Sequence, residues 1–480
     1  MSARYVVALD QGTSSCRAFA VGLDGTVKAQ KSIPFPPHRP QKGFSQYDAP
    51  ALLNTQREVL HTLLDEIGPA HIAGIGVCSQ RSTVVLWNAQ TGQAVAPVLT
   101  WEDGRAAQES ARVTLSQAQI HAWTGLFNVP HFSAPKIAWC LHNFPAAAQA
   151  AQQGTLRAAP VASYLIWQLT QGAVFATDPT LAQRTLLYNM QTGQWDETLC
   201  QAFGVPVMCL PEIKPSAANY GVYLYKGVKI PILACVADQQ AAAFYQGLSA
   251  GQTTVNYGTG AFVLHHTGAQ LTVLPGMLSS VAATTKPGEK QFLLEGPVFA
   301  AGSVLQWLQA AKGLSFDVSQ VDALCAKAQH PVQLLPALGG LGAPYWDYHA
   351  TLVAEPVSPQ TTAADWVAGA LQGIAGLVAD IVYYLRAQGQ AVNGPVYVSG
   401  GLSQSRYLLQ HQADLLQTPL RLCPQTESTV LGAASLVLAG QDKGIPAFPV
   451  ASVHQVTPQG TPQLYKAWQA FVQNCRKKPS

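Results

Sequence analysis

The feature that most constrains the fold of this chain is a short motif that occurs twice. The first copy, DQGTS at residues 10–14, follows an apolar strand-like run, and the second, NYGTG at residues 256–260, follows another. The copies lie 246 residues apart in a chain of 480, and each leads into a second strand-like run. A repeat with this period predicts two related domains, which we place at residues 1–246 and 247–480. A chance match between two Gly-Thr turns is the alternative.

The position of the glycines in these motifs disfavours two common nucleotide-binding folds. Rossmann and P-loop proteins place their glycines between a strand and a helix, whereas here each turn lies between two strands. A tight turn nevertheless presents backbone N–H groups and hydroxyls, which hold an anion without much positive charge. The repeat therefore predicts a nucleotide held between two such turns.

Candidate ligands of that nucleotide lie in and beside the first turn. The side chains expected to contact phosphate oxygens are Thr13, Ser14, Ser15 and Arg17. The carboxylate of Asp10 is expected to hold Mg²⁺ through water. An ordinary Asx turn is the alternative for Asp10, and the matching second turn favours the phosphate site.

Composition limits the partners of the chain. Its residues are 48% apolar and 11% charged, with a formal net charge of +3, which is typical of a globular chain that folds by burial. A run of basic residues occurs only at residues 476–478, so nucleic acid is not an expected partner. The nine cysteines include no C-x-x-C pair, which indicates a reducing compartment and predicts a cytoplasmic protein.

A membrane is not an expected partner either. The longest uncharged segments, residues 366–379 and 428–441, are shorter than the roughly 20 residues that a bilayer requires. We expect both to be buried helices. The N-terminal run MSARYVVALD has one basic residue and a strand-length apolar stretch that ends in an acid, which is not typical of a signal peptide.

Asp238 is the candidate catalytic residue. It follows an apolar strand at residues 230–236 and precedes a helix-forming run. Ligands of open α/β sheets gather at the carboxyl ends of the strands. We therefore expect Asp238 to be a general base that takes a proton from a substrate hydroxyl as the phosphoryl group arrives. A helix N-cap is the alternative, and the two roles are compatible.

Three further residues are candidates for a substrate pocket. Arg81 follows a strand at residues 72–78 and is expected to bond hydroxyls or neutralise developing charge, with a surface salt bridge as the equal alternative. Trp101 is expected to form an aromatic wall for a carbohydrate, with core packing as the alternative. His131 lies in a loop, where a lone histidine is more often incidental than catalytic.

Several segments, taken in order, resemble the FGGY carbohydrate kinases, and most of all the glycerol kinases among them. Eight strings carry the resemblance: ALDQGTSSCRAF from residue 8, SQRSTVVLW from 79, TWEDGR from 100, ADQQAA from 237, NYGTGAF from 256, EGPVFAAGSVLQWL from 295, GLGAPYWD from 340 and SGGLSQSRYLLQ from 399. Each string by itself is unspecific, but the eight in order are highly specific.

The resemblance implies an α/β protein with two actin-like (ribonuclease H-like) domains flanking a central nucleotide cleft. It also implies ATP and Mg²⁺ as cofactors, and transfer of the γ-phosphoryl group of ATP to a hydroxyl of a small polyol or sugar. Carried over by position, the polyol pocket would comprise Arg81, Trp101, Asp238, Gln239 and Phe262. The rest of the nucleotide would be surrounded by Thr259, Gly302, Gln306, Gly401 and Ser405.

Three positions depart from the glycerol kinase pattern. Those kinases carry Glu where this chain has Ser82, Tyr where it has His131, and usually Asn where it has Ser405. Ser82 and His131 are the two that would touch the polyol. Replacing a carboxylate by a short hydroxyl removes a charge-assisted hydrogen bond and leaves space. We therefore expect an acceptor longer than glycerol, such as a polyol or ketose of four or five carbons.

Two other functions compete with a kinase of small hydroxyl compounds. An actin-fold ATPase would share the first turn without a polyol pocket, and ADQQAA at residues 237–242 argues against it. A catalytically weak sugar-binding or regulatory protein would retain the pocket without turnover. A small polyol or sugar is the expected partner, and a homodimer is left open.

Overall fold

The structure is a computed structural model in which residues 4–423, 427–440 and 454–477 are described. The chain folds as an α/β protein with two compact units. The first unit comprises Met1–Gly247, Ser280–Phe292 and Glu427–Pro449. The second comprises Leu248–Ser279, Leu293–Thr426 and Val450–Ser480. Two segments from the second half of the chain thus belong to the first unit.

The described residues of the first half form fourteen strands and nine α-helices. The strands are β1 Tyr5–Gln11, β2 Ser15–Gly22, β3 Val27–Pro34, β4 Gln46–Tyr47, β5 Ile72–Ser79, β6 Val84–Asn88, β7 Val98–Leu99, β8 Leu156–Pro160, β9 Ala176–Thr177, β10 Tyr188–Asn189, β11 Gln194–Trp195, β12 Glu212–Ile213, β13 Val222–Tyr225 and β14 Val228–Ala237. The helices are α1 Ala49–Ile67, α2 Ala107–Arg112, α3 Gln117–Thr124, α4 Ser133–Asn143, α5 Pro145–Gln152, α6 Val161–Leu169, α7 Pro179–Gln183, α8 Glu197–Phe203 and α9 Asp238–Tyr245.

The described residues of the second half add nine strands and six helices. The strands are β15 Thr253–Tyr257, β16 Ala261–Gly268, β17 Leu278–Val281, β18 Phe292–Val298, β19 Gln333–Leu335, β20 Val353–Glu355, β21 Val396–Ser399, β22 Leu420–Leu422 and β23 His454–Val456. The helices are α10 Gly302–Lys312, α11 Val321–Cys325, α12 Ala363–Ala387, α13 Arg406–Leu416, α14 Ser428–Ala439 and α15 Gln463–Lys477.

The first unit is built on a sheet with the order β13-β14-β5-β1-β2-β3. β1 and β2 form an antiparallel hairpin, while β5 lies parallel to β1 and β14 parallel to β5. Successive residues of a strand face opposite sides of a sheet, and both sides of β1 are covered. Val7 and Leu9 belong to one apolar core, and Val6 and Ala8 belong to another that includes residues of α14. Burial on both faces explains why β1 is apolar almost throughout.

The second sheet repeats this topology. Its order is β17-β18-β16-β15-β21-β22-β23. The hairpin β15-β16 is antiparallel, and β21 lies parallel to β15 as β5 lies parallel to β1. Both copies of the sequence motif therefore form the turn of the first hairpin in their sheet. The first turn is one residue longer, because Gln11 pairs with Cys16 whereas Tyr257 pairs with Ala261.

The first unit also contains a separate antiparallel sheet with the strand order β4-β7-β6-β8. It positions several residues of interest. Ser82 lies two residues before the start of β6, Trp101 lies two residues after the end of β7, and His131 lies two residues before the start of α4. α4 packs against β6, so these three loops converge at one end of this layer.

The apolar segment at residues 366–379 is part of a longer helix than its sequence predicts. α12 has 25 residues, with charged Asp365, Asp380 and Arg386 within it. By length and composition it is able to cross a membrane, so the expectation that the segment is too short was wrong. Of its most apolar stretch, 89% is buried within the structure, which confirms the expected buried helix.

The second apolar segment, residues 428–441, forms α14. Its last residue, Gln441, lies outside the described residues. α14 packs closely against α9, the helix that begins with Asp238. Gly432 marks the closest approach, since a Cβ atom there would lie 1.9 Å from the carbonyl oxygen of Ala241. The small residues of α14 therefore allow the backbones of the two helices to touch.

Candidate active site

Three adjacent parallel strands of the first unit bring polar residues to one edge of the sheet. β1 ends with Asp10 and Gln11, Arg81 follows β5, and Asp238 follows β14. Parallel strands present their carboxyl ends together, and the register pairs both Asp10 and Val236 with Cys78. Burial raises the pKa of the Cys78 thiol, and the charges of Asp10 and Asp238 add to this. Both carboxylates therefore lie close to one point of the sheet edge.

Asp238 is the first residue of α9, and its side chain is 29% exposed. The N-cap is Ala237, so the expectation that Asp238 caps this helix was wrong. Its Oδ1 atom instead accepts from the N–H of Gln239 at 2.7 Å and lies 3.9 Å from Nε of Arg81. A carboxylate at a helix N-terminus is stabilised by the helix dipole. The arrangement leaves an accessible, ionisable oxygen beside a guanidinium.

A buried network that the sequence did not reveal holds the start of α9. The N–H of Ala237 donates to Oγ1 of Thr180 at 2.9 Å, and that hydroxyl donates to the carboxylate of Asp178. Asp178 also accepts from Ser216 at 2.7 Å. Burial raises the pKa of Asp178 to about 6, while its hydrogen bonds oppose that rise. The only signal in the sequence is a D-x-T pair that caps α7, and nothing local relates it to Ala237.

The first hairpin turn is braced through its oxygen atoms. The Tyr47 hydroxyl donates to the carbonyl of Thr13 at 2.6 Å, and the Gln80 amide donates to the carbonyl of Gly12 at 3.3 Å. The indole N–H of Trp101 donates to Oγ1 of Thr13 at 2.9 Å. Ser14 is exposed at the tip of the turn. An anion site requires N–H donors, whereas these three hydrogen bonds use only oxygen atoms of the turn, as acceptors.

Asp10 and Arg17 form an ion pair across the hairpin. Asp10 is almost fully buried within β1, and its Oδ2 accepts from two nitrogens of Arg17, with Nε at 2.9 Å. An Asx turn is therefore wrong for Asp10. Arg17 also donates to Glu427 at 3.0 Å. Burial alone would lower the pKa of Arg17, but the negative charge of Asp10, and then that of Glu427, raises it.

Ser82 and Trp101 occupy the predicted acceptor side of this edge. Ser82 is 8% exposed and has φ 60°, a left-handed conformation that is uncommon for residues other than glycine. Trp101 is 44% exposed, so core packing is wrong for it. An exposed indole near a sheet edge is suited to stack against the apolar face of a polyol or sugar.

His131 has a large solvent-accessible area overall, but its imidazole ring is partly surrounded by protein. Burial lowers the pKa of His131, the charge of Lys136 lowers it further, and a hydrogen bond with the main chain of Trp101 opposes both. Lys136 itself is fully buried, and burial lowers its pKa to about 7. Its ammonium donates to the carbonyls of Thr100, His131 and Ser82 at 2.6, 2.6 and 3.1 Å. Sequence reasoning missed Lys136, although a single lysine in an apolar helix is a signal.

In the second unit, the turn of the second hairpin docks on a helix N-terminus. The N–H of Gly302 donates to the carbonyl of Gly258 at 3.0 Å, and the N–H of Ala301 donates to that of Thr259 at 2.9 Å. A Cβ atom at Gly302 would lie 2.8 Å from the Gly258 oxygen. Thr259 is exposed on the turn, and Gln306 is exposed one helical turn further along α10.

Two glycines after β21 lie beside the same turn. Gly400 has φ 92°, and a Cβ atom there would lie 2.4 Å from the side chain of Asn256. A Cβ atom at Gly401 would meet no atom within 4 Å, so a ligand is able to approach its backbone closely. Ser405 is the N-cap of α13, and its hydroxyl donates to Asp322 at 2.6 Å. Phe262 lies half-buried on β16, opposite Asn256.

The residues present fit ATP and Mg²⁺. Asp10 supplies a carboxylate oxygen, which is the kind of ligand that Mg²⁺ prefers. Exposed hydroxyls of Ser14 and Thr259 and the open backbone at Gly401 match the donors that phosphates need. In the first unit the structure brings together Asp10, the turn, Arg81, Trp101 and Asp238, and in the second it brings together Thr259, Gly302 and Gly401.

The chain matches two family models. The model of the FGGY family of carbohydrate kinases, N-terminal domain, matches residues 5–245, and that of the C-terminal domain matches residues 253–440. A glycerol kinase of Geobacter sp. (strain M21) is 38% identical over 452 residues, which cover 92% of this chain and 90% of that protein. A glycerol kinase of Limosilactobacillus reuteri (strain DSM 20016) is 33% identical, covering 98% of this chain and 97% of that protein.

Solved structures agree with this result. The crystal structure of Plasmodium falciparum glycerol kinase with ADP has a TM-score of 0.93 at 25% identity and covers 100% of this chain and 99% of that chain. The crystal structure of xylulose kinase from Rhodospirillum rubrum has a TM-score of 0.87 at 23% identity, covering 98% of this chain and 99% of that chain. The second likeness shows a shared fold.

Proposed function

The chain belongs to the FGGY family of carbohydrate kinases, and we propose that it phosphorylates a polyol or ketose of four or five carbons rather than glycerol. ATP-dependent transfer to a hydroxyl group is the activity of its glycerol kinase relatives. The proposal concerns the acceptor and the residues that act on it.

The observation that carries the proposal is the environment of Ser82. The residue is buried in a left-handed conformation directly after Arg81, and Lys136 holds its carbonyl. A serine hydroxyl is short and uncharged, so it forms a weaker hydrogen bond than a carboxylate and fills less space. A further hydroxymethyl group of a longer acceptor would fill that space.

We assign the proton transfer to Asp238. An acceptor hydroxyl hydrogen-bonded to its exposed carboxylate would give up its proton to that carboxylate as the hydroxyl oxygen bonds to the γ-phosphorus. The bond between the γ-phosphorus and the β,γ-bridging oxygen breaks, and ADP leaves with the electron pair. Arg81, 3.9 Å from Asp238, would orient the hydroxyls, and Trp101, Gln239 and His131 would complete the pocket in the first unit. Phe262, which lies in the second unit, stays a prediction.

The phosphates and the metal are assigned to the hairpin turns. Asp10 would hold Mg²⁺ through water, and the bound ion would neutralise phosphate charge. Thr13, Ser14 and Ser15 would contact phosphate oxygens. Arg17 would join them by exchanging a carboxylate partner for a phosphate. In the second unit the nucleotide ligands would be Thr259, Gly302, Gln306, Gly401 and Ser405.

We further propose that residues 1–246 carry the polyol pocket and the phosphate turn and that residues 247–480 bind the nucleotide. A cytoplasmic location is supported by nine free, buried cysteines, because a reducing compartment maintains thiols. A homodimer stays a prediction, which light scattering coupled to size-exclusion chromatography tests.

Steady-state ADP release tests the proposal. The wild type is assayed with glycerol, erythritol, xylulose and ribulose, and without acceptor. We expect kcat/KM for one of the longer acceptors to exceed that for glycerol by about tenfold or more, which corresponds to about 1.4 kcal/mol. A much higher kcat/KM for glycerol would sink the proposed acceptor, and acceptor-independent ADP release would favour an ATPase.

Two variants test the role of Asp238. Asp238→Asn is expected to lower kcat by about 10²–10⁴, the range that general base catalysis contributes. Asp48→Asn is the matched control, because it makes the same chemical change at the N-cap of α1, where Asn caps as well as Asp. Equal activities of the two variants would contradict the assignment.

A further inference from the structure

Lys136 occupies an unusual position in the first unit. Its side chain is fully buried in α4, where a charged group is rarely found without partners. An ammonium group has three N–H donors, and here they reach three main-chain carbonyls, those of Thr100, His131 and Ser82. The donor capacity of the group is therefore used in full on the backbone.

These three carbonyls belong to three loops that are remote in sequence. Ser82 follows Arg81 in the loop before β6, Thr100 precedes Trp101, and His131 is in the loop before α4. Each loop carries a residue assigned to the acceptor pocket. A single buried ammonium thus fixes the spacing of all three pocket loops.

The loop at Ser82 most needs such a restraint. A serine at φ 60° is in a conformation that surrounding contacts must maintain. Its carbonyl accepts from Nζ of Lys136 and also from the hydroxyl of Ser133 at 3.3 Å. Both donors lie on the first turn of α4, so this helix end holds the Ser82 backbone in place.

We propose that Lys136 is a positioning residue that determines which acceptor the pocket takes, because it sets the separation of Ser82, Trp101 and His131. The inference rests on the proposed function. A purely structural role would give a different result: loss of a structural lysine lowers the amount of folded enzyme and leaves the KM values of the remainder unchanged. A positioning role changes the pocket itself.

The test uses the full chain with Lys136→Met, which keeps a long unbranched side chain and removes the three donors. Initial rates are measured with ATP and with two acceptors, glycerol and the best longer acceptor of the wild type. We expect KM for the best acceptor to rise about tenfold or more, since each lost hydrogen bond contributes a severalfold effect. The ratio of kcat/KM between the two acceptors should also change by about tenfold, while KM for ATP changes less than about threefold.

Ile137→Ala is the matched control. Ile137 is the next residue of α4 and is buried, but its side chain has no hydrogen-bonding group. This variant is expected to lose stability and to retain the wild-type KM values and acceptor ratio. Circular dichroism and thermal unfolding of each variant show how much of the chain is folded.

Two results would overturn the inference: an unchanged ratio of kcat/KM between the two acceptors in folded Lys136→Met, or the same KM shift in Ile137→Ala.

If Lys136→Met does not fold, Ser133→Ala is the second test of the inference, because it removes one donor to the Ser82 carbonyl. A rise of about twofold to tenfold in acceptor KM supports the inference, and an unchanged KM refutes it. A wild type without acceptor-dependent ADP release refutes the proposed function as well, whereas an active wild type with insensitive variants refutes this inference alone.

Discussion

The contact between α14 and α9 gives the most specific prediction. In Gly432→Ala the new Cβ atom would lie 1.9 Å from the carbonyl oxygen of Ala241, whereas such contacts essentially never fall below 3.0 Å. The obstacle is backbone, so α9 and α14 must separate by about 1.1 Å, the difference between these distances. Ala241 is three residues after Asp238 on the same short helix. Movement of α9 therefore displaces the carboxylate of Asp238, the proposed base.

The effects on stability and on activity should differ in size. Overpacking costs about 1–3 kcal/mol, and replacing glycine by alanine within a helix returns about 1 kcal/mol, so the net loss of stability is small. A displacement of about 1 Å at a reacting group costs about 100-fold in rate, which corresponds to about 2.7 kcal/mol of activation free energy. We expect kcat/KM to fall about 100-fold in a variant that remains folded.

The assay is acceptor-dependent ADP release, with thermal unfolding measured on the same samples. Gly440→Ala is the matched control, because its Cβ atom would make an ordinary contact at 3.4 Å with the carbonyl oxygen of Leu233. It should retain wild-type kcat/KM. Wild-type kcat/KM in a folded Gly432→Ala variant would contradict this prediction, since it would mean that separating α9 from α14 leaves the working position of Asp238 unchanged.

Three more predictions follow from other residues. Ser82→Glu should raise kcat/KM for glycerol relative to the longer acceptor by about tenfold, because a carboxylate adds a charge-assisted hydrogen bond; an unchanged ratio in steady-state assays would count against the assigned pocket. Trp101→Phe should raise acceptor KM about twofold to tenfold, because the indole bond to Thr13 is lost, and an unaltered KM would argue against that link. Burial raises the pKa of Asp380 to about 6 from 3.8, so the folded state binds this proton more tightly than the unfolded state. The resulting stabilisation is complete below about pH 4 and is lost as pH rises through about 6. In urea unfolding, the free energy of unfolding of the wild type minus that of Asp380→Asn should therefore fall over this pH range. A constant difference would contradict the prediction.

Local signals in the sequence were sufficient for the elements that carry the site. The hairpin β1-β2 is observed where the repeated motif predicts it, although β1 continues through Asp10 and Gln11, and the expected strand before Arg81 is β5. Each depends on the periodicity of apolar residues and on turn residues, which act over a few positions. The position of Asp238 after a buried strand followed from the same reasoning.

Long-range contacts were not predictable in this way. Arg17 pairs with Glu427 across 410 positions, and Thr180 accepts from Ala237 across 57. No local pattern relates such residues, because the fold alone brings them together.

We expect this chain to transfer a phosphoryl group to an acceptor hydroxyl with Asp238 as the base. Phosphorus-31 NMR of the reaction mixture tests it most directly, because it separates a phosphate monoester from inorganic phosphate. The wild type should form one equivalent of acceptor phosphate for each ADP, and Asp238→Asn should form almost none over the same time. Inorganic phosphate in place of the ester, or an unimpaired Asp238→Asn, would contradict it.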